Sequence, residues 1–279
     1  MPISLVTNAT ELAIARSLET SEQNMRRAME RLASGKRINH SYEDPAGSAL
    51  SANLNGKIRS LQQAQRNVLD ATSVIQVAEG GLNELDGSLL RMRELAIQSS
   101  SDSVSDVERG LMQTEVTELA SQIDRMAEST RYLGVKLLNG TQRDMVFQVG
   151  IENEEVDRLH YQAGQVDVRA ATLGVDGLSI EDQDSAMEAL ASLDEAQRRV
   201  QMPRAQLGAI QGTLHSLTNF LAVYEENLTE AHSRIHDTDY AQETSNLMRS
   251  QLIQRAAVAV LTQANQIPRA ALKLLDPSS

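Results

Sequence analysis

The stretch from Leu61 to Ala96, LQQAQRNVLDATSVIQVAEGGLNELDGSLLRMRELA, decides the fold. Its apolar side chains recur at Leu61, Ala64, Val68, Ala71, Ile75, Ala78, Leu82, Leu85, Leu89, Met92 and Ala96. Steps of three and four alternate along that series without a break. A mean step of 3.5 residues keeps one edge of an α-helix against a partner helix, which is the seam of a coiled coil. Gly80, Gly81 and Gly87 lie inside the stretch. Each costs about 1 kcal/mol against Ala in a helix interior. Those costs are small beside so long a packed seam, so one long helix is expected.

Working outward, Met112, Val116, Leu119, Ile123 and Met126 mark a shorter helix. The polar loop Ser99-Ser-Ser-Asp-Ser-Val-Ser-Asp precedes it and offers several N-caps. A loop followed by an antiparallel return is the simplest connection. A third series runs Val200, Pro203, Leu207, Ile210, Leu214, Leu217, Leu221, Tyr224, Leu228, Ala231, Ile235. Pro203 should kink that helix or sit near its first turn. Glu181, Asp182 and Asp184 follow Ser179 and read as a helix start favoured by the macrodipole. Between the helices, roughly from Leu138 to Glu181, β-formers cluster in Met145-Val-Phe-Gln-Val-Gly and Val166-Asp-Val-Arg. Turn residues surround them, so a small β-hairpin region is expected. The fold class is mainly α: long antiparallel helices in coiled-coil or bundle packing, with a small β-hairpin region.

Chain ends are usually polar and frayed. Here both carry seams. Leu18, Ser21, Met25, Ala28 and Leu32 alternate three and four, with Ser21 the one polar member. Ile253, Ala257, Val260, Ala264, Ile267, Ala271 and Leu274 do the same at the other end. The two terminal helices can pair, but pairing buries one side of each. The rest must be covered either by the chain's own central bundle or by another molecule. In the second case the ends order on assembly.

Composition narrows the function. The 279 residues include no Trp, two Phe and an aromatic fraction of 3%. Such a chain packs with Leu, Ile, Val, Met and Ala, which suit helix–helix seams better than a thick core. A net charge of −12, with Lys and Arg scattered among acids, offers no basic face for nucleic acid. An anionic membrane would repel it. Cysteine is absent, so disulfides and thiol chemistry are excluded. The most apolar run, Ala256 to Leu261, is far short of the roughly 20 residues that span a bilayer. The N-terminal Met1-Pro-Ile-Ser-Leu-Val-Thr lacks the basic and apolar pattern of a cleaved secretory leader.

Candidate reactive clusters do not add up to a site. His232 and His236 stand four apart, but a metal centre needs three or four ligands. Glu152, Glu154, Glu155 and Asp157 lack calcium-loop spacing and read as a solvated turn. No phosphate loop, zincin or nucleophile-elbow motif is present. The expectation is no catalytic residue, no metal and no cofactor.

Several strings together resemble the bacterial flagellin family. Glu30-Arg-Leu-Ala-Ser-Gly-Lys-Arg-Ile-Asn39 and Glu43-Asp-Pro-Ala-Gly-Ser-Ala resemble its N-terminal signature. Asn67 to Leu85, Arg91-Met-Arg-Glu-Leu-Ala-Ile-Gln98, Ile123-Asp-Arg, Gly134-Val-Lys-Leu-Leu-Asn-Gly140 and Phe147-Gln-Val-Gly150 continue the likeness. Ser233-Arg-Ile-His-Asp-Thr-Asp-Tyr-Ala-Gln-Glu-Thr and Gln263-Ala-Asn-Gln-Ile-Pro268 carry it at the other end. The matches cover roughly the first 150 and last 50 residues, in order.

The resemblance implies an inner coiled-coil domain from 1–44 and 238–279, and a helical rod domain over 45–237 with a β-hairpin at about 138–181. It implies a subunit that polymerises into the flagellar filament, without the outer domains that larger members insert. It also implies export through the flagellum's own type III apparatus, with an export chaperone gripping Ser233 to Leu275, and cap and hook-associated proteins as partners. The residues expected to carry self-assembly are Leu18, Met25, Leu32, Ile253, Val260, Ile267 and Leu274. Some family members are recognised by an animal toll-like receptor, and Arg91, Leu95 and Glu115 match that contact motif. The same three positions also suit an ordinary helix surface, with Leu95 buried between subunits. Two rival functions fit less of the pattern: a hook–filament junction protein, and a soluble coiled-coil adaptor or receptor ligand.

Overall fold

A computed structural model describes residues 9–275, and side chains over 11–266. Six α-helices and two small hairpins follow in the order α1 (Ala9–Ser34), α2 (Pro45–Ser99), α3 (Asp106–Ser129), β1 (Arg131–Tyr132), β2 (Val135–Lys136), β3 (Met145–Gln148), β4 (Arg158–Tyr161), α4 (Ala170–Leu173), α5 (Gln183–His236) and α6 (Tyr240–Leu275). The chain divides into two compact units, 57–226 and 1–56 with 227–279; the division falls within α2 and α5.

In the 57–226 unit, every member of the Leu61–Ala96 series is buried. Polar pairs flank the seam and set its register. Gln62 donates to Glu225 at 2.8 Å, Gln211 to Glu79 at 2.6 Å, Arg204 to Asp86 at 2.8 Å and Arg93 to Asp194 at 2.8 Å. Each advance along α2 is matched by a retreat along α5, so the two run antiparallel. Val200, Leu207, Leu214 and Leu221 are buried on α5, while Ile210, Leu217 and Tyr224 in the same series are half-buried. Pro203 lies inside α5, with helix on both sides. Its missing N–H therefore costs one backbone bond without ending the element. α2 buries a wider face than one seam, because Val74 and Leu95 are covered as well.

The return helix begins where the polar loop offers its best cap. Ser105 accepts from the Glu108 N–H, and Glu108 reaches back to the Ser105 N–H, a reciprocal capping box. Beyond it, Gln113 accepts from the Ile180 N–H at 2.7 Å and donates to the Leu178 carbonyl at 2.9 Å. The Asp182 carboxylate accepts from Ser185 at 2.9 Å and caps α5.

The expected β-hairpin region is present. β3 is the Met145 strand, and its partner is Arg158–Tyr161, with Phe147 opposite Leu159 and Met145 opposite Tyr161. Val166 to Arg169 does not pair with it. That segment makes one bridge, Asn139 to Asp167, and buries Val166 and Val168. Tyr161 is buried and donates to the Leu137 carbonyl at 3.0 Å; burial pushes its phenol up to about 12.

A second hairpin, β1 with β2, was not expected. Its turn is Leu133-Gly134, with φ of 48° and 86°. Positive φ at both central residues is the pattern of a type I′ hairpin turn, which suits Asn-Gly far better than Leu-Gly. Leu133 is also 90% exposed. A left-handed conformation costs a branched residue about 1–2 kcal/mol, and Asn relieves most of it. Leu133→Asn is therefore expected to raise stability by about 1 kcal/mol, read as an upward shift in thermal midpoint; an unchanged or lower midpoint would contradict this strain.

Candidate functional site: the uncovered faces of the terminal helices

The 1–56 with 227–279 unit is built on α1 packed against α6. Ser21 Oγ donates to the Ser250 carbonyl at 2.8 Å, and Arg31 pairs with Glu243 at 2.8 Å. The two contacts fix an antiparallel pair. Ser21 is the polar member of the N-terminal series, and this bond satisfies its hydroxyl inside the interface. Gly35, at φ 71°, ends α1; its carbonyl accepts from Thr238 at 3.0 Å, and Arg37 N–H donates to the His236 carbonyl at 2.7 Å. That strap holds the end of α1 to the turn between α5 and α6.

The seam between α1 and α6 is made of small and polar residues. Ser21 and Ala28 are buried on α1, and Glu243, Ser250, Ala257 and Ala264, seven apart, on α6. Burial disfavours the Glu243 carboxylate, but hydrogen bonds from Arg31 and Asn246 outweigh it and hold its pKa below the usual range. Small residues let the helices approach closely while burying little apolar area. The large members of the two series lie beside the seam rather than in it. Leu18, Met25 and Leu32 are half-buried, and Ile253 and Val260 remain 44% and 51% exposed. Ile267 and Leu274 lie outside the residues whose side chains are described.

Uncovered apolar surface extends beyond the expected residues. Leu12 and Met29 on α1, and Met248, Leu252 and Val258 on α6, are exposed. The signal for them was present: α6 carries apolar residues around most of its circumference, and such a helix is normally covered on most sides. Full burial of one such side chain is worth about 1.5–3 kcal/mol.

The three receptor-motif positions separate. Arg91 donates to Glu115 at 2.8 Å and to Glu94 at 3.2 Å on an exposed face, and the Glu115 bond foremost holds the Arg91 pKa above its ordinary value. Leu95 is 2% exposed. Its cover comes from the chain itself and not from a neighbouring subunit, because α2 buries more than one stripe. His232 and His236 stack with centroids 4.8 Å apart; His232 bonds Ser51 at 3.1 Å and His236 bonds Asp237 at 3.0 Å. Among the described residues, no group of three or more His, Asp or Glu is placed to hold a metal ion, and no helix is long and apolar enough to cross a membrane.

Two chain ends paired as helices, with large apolar side chains left uncovered beside a small-residue seam, define a structural building block. Residues 5–143 match the bacterial flagellin N-terminal helical region, and residues 190–275 match the bacterial flagellin C-terminal helical region. A flagellin of Halalkalibacterium halodurans is 38% identical over 249 residues, covering 89% of this chain and 91% of its own. The flagellar filament 33 kDa core protein of Treponema phagedenis is 34% identical over 284 residues, covering 96% and 98%. The crystal structure of Bacillus cereus flagellin superposes with a TM-score of 0.50 at 24% identity, covering 56% of this chain and 88% of that one, a likeness of fold. The chain belongs to the bacterial flagellin family. It is a structural subunit of the flagellar filament, outside the cell.

Proposed function

We propose that the chain acts by ordering and burying its paired ends, 1–44 and 238–279, against the same segments of neighbouring copies, while 45–237 forms a rod. The observation that carries this reading is the exposure of Ile253 and Val260 beside a seam too small to stabilise the pair strongly. Burial returns about 25 cal/mol per Å², against roughly 1–2 kcal/mol per residue ordered. The terms are close, so each subunit needs many neighbours. Leu18, Met25, Leu32, Ile253, Val260, Ile267 and Leu274 carry the contacts.

In this reading the chain catalyses nothing and travels out through the flagellar type III apparatus. An export chaperone shields Ser233 to Leu275 beforehand, and cap and hook-associated proteins bound the polymer. A toll-like receptor meeting this surface would find the Arg91–Glu115 pair but not the Leu95 side chain while the rod is folded, so any receptor contact is polar at its centre. Purified protein added to sheared filament fragments should grow fibres visible by electron microscopy. Protein that stays monomeric on competent seeds would contradict the proposal.

A further inference from the structure

A cleft of about 250 Å³ opens between α1 and α6. Arg27, Arg31 and Arg249 line it together with Asn24, Asn246 and one carboxylate, Glu243. Arg31 spends its charge inside the pair, on Glu243 at 2.8 Å and, more distantly, on Glu43 at 3.9 Å. Its Nε is buried without a hydrogen-bond partner. Arg27 and Arg249 have no hydrogen bond or ion pair among the described residues.

Arg27 and Arg249 are set apart by their convergence with Arg31 on one cleft, which holds three guanidinium groups against a single carboxylate. Guanidinium forks and side-chain amides suit a carboxylate, which accepts two parallel N–H bonds. Ile253, one of the exposed residues of the proposed interface, also lines this cleft. The cleft is therefore continuous with the surface that neighbouring copies cover.

We infer that this cleft receives an acidic side chain of a second copy, so that an ion pair forms beside the apolar contact. The inference rests on the filament reading and adds to it a charged, orientation-setting contact. Apolar burial is non-directional, whereas a bidentate arginine–carboxylate pair fixes register. The acid-rich surface of every copy supplies the carboxylate.

The test is seeded growth of the Arg27→Gln/Arg249→Gln double variant. Both side chains are exposed and unpartnered, so its circular dichroism and thermal midpoint should match the parent. Its critical concentration for growth should rise at least about tenfold, the scale of a lost interfacial charge pair. Growth of the parent should weaken between about 0.05 and 0.5 M NaCl more steeply than growth of the variant. Equal critical concentrations and equal salt dependence would overturn the inference while leaving the filament reading intact. Arg249-dependent binding of inorganic phosphate to the dilute monomer, seen by calorimetry, with unchanged growth, would assign the cleft to a free anion and also overturn it. A parent that fails to grow on competent seeds takes both readings down together.

Discussion

Val260→Asp should leave a folded, soluble monomer and abolish filaments. In the isolated chain the substituted side chain stands in water, since Val260 is 51% exposed on α6. Exposed substitutions of this kind usually change stability by less than about 0.5 kcal/mol. In the proposed filament contact the same position is covered, and an unpaired carboxylate there costs several kcal/mol through lost hydration. Every copy carries the penalty, so it repeats along the fibre. Circular dichroism and gel filtration should report an ordinary monomer, and electron microscopy should find no fibres after seeding. Filaments of normal length from this variant would show that neighbours do not cover Val260.

Three consecutive residues of α2 should respond in three different ways. A Cβ on Gly80 meets nothing within 4 Å. Gly80→Ala should thus gain about 1 kcal/mol from helix propensity alone. A Cβ on Gly81 would lie 2.7 Å from Thr130 Oγ1 and 2.8 Å from Leu138 Cδ1. Neither neighbour is free to retreat: Thr130 Oγ1 bonds the Met126 carbonyl at 2.8 Å, and Leu138 is buried. Gly81→Ala should lose more to this crowding, about 1–3 kcal/mol, than propensity restores. Leu82 is fully buried, and Leu82→Ala should lose about 2–5 kcal/mol. Urea unfolding of the monomer gives all three numbers. Equal stabilisation by the two glycine substitutions would refute the close approach at Gly81.

The long helices were legible because their information is periodic. The Leu61–Ala96 series is buried in full, since a 3.5-residue repeat over that length admits one geometry. The α5 series was legible as a stripe, though the half-burial of Ile210, Leu217 and Tyr224 was not, because depth depends on what lies beside the seam. The hairpin region was legible but its pairing was not: Val166 and Val168 carry the stronger β-branched signal, yet β3 pairs with Arg158–Tyr161, whose Leu159 and Tyr161 alternate with a charge and a histidine. β1 and β2 are two residues each, too short to carry any period.

The candidate surface was half legible. The stripe over Ile253 to Ala264 was visible, but it mixes two roles: Ala257 and Ala264 face α1, while Ile253 and Val260 stay open. Glu243 and Ser250, which complete the seam, look like solvent residues in the sequence. They are buried because Arg31 and Ser21 satisfy them, and partners more than 200 positions away leave no local trace. The arginine cleft was invisible for the same reason.

Amide hydrogen exchange over residues 11–34 and 240–266 tests the central claim most directly, measured in dilute monomer and again in filaments. A pair held by a small-residue seam, with its large side chains uncovered, should open often on its own. The amides should exchange much faster in the monomer than those of residues 61–96, and slow by orders of magnitude on polymerisation. Terminal amides in the dilute monomer as protected as those of residues 61–96, with no further slowing in the fibre, would contradict the account.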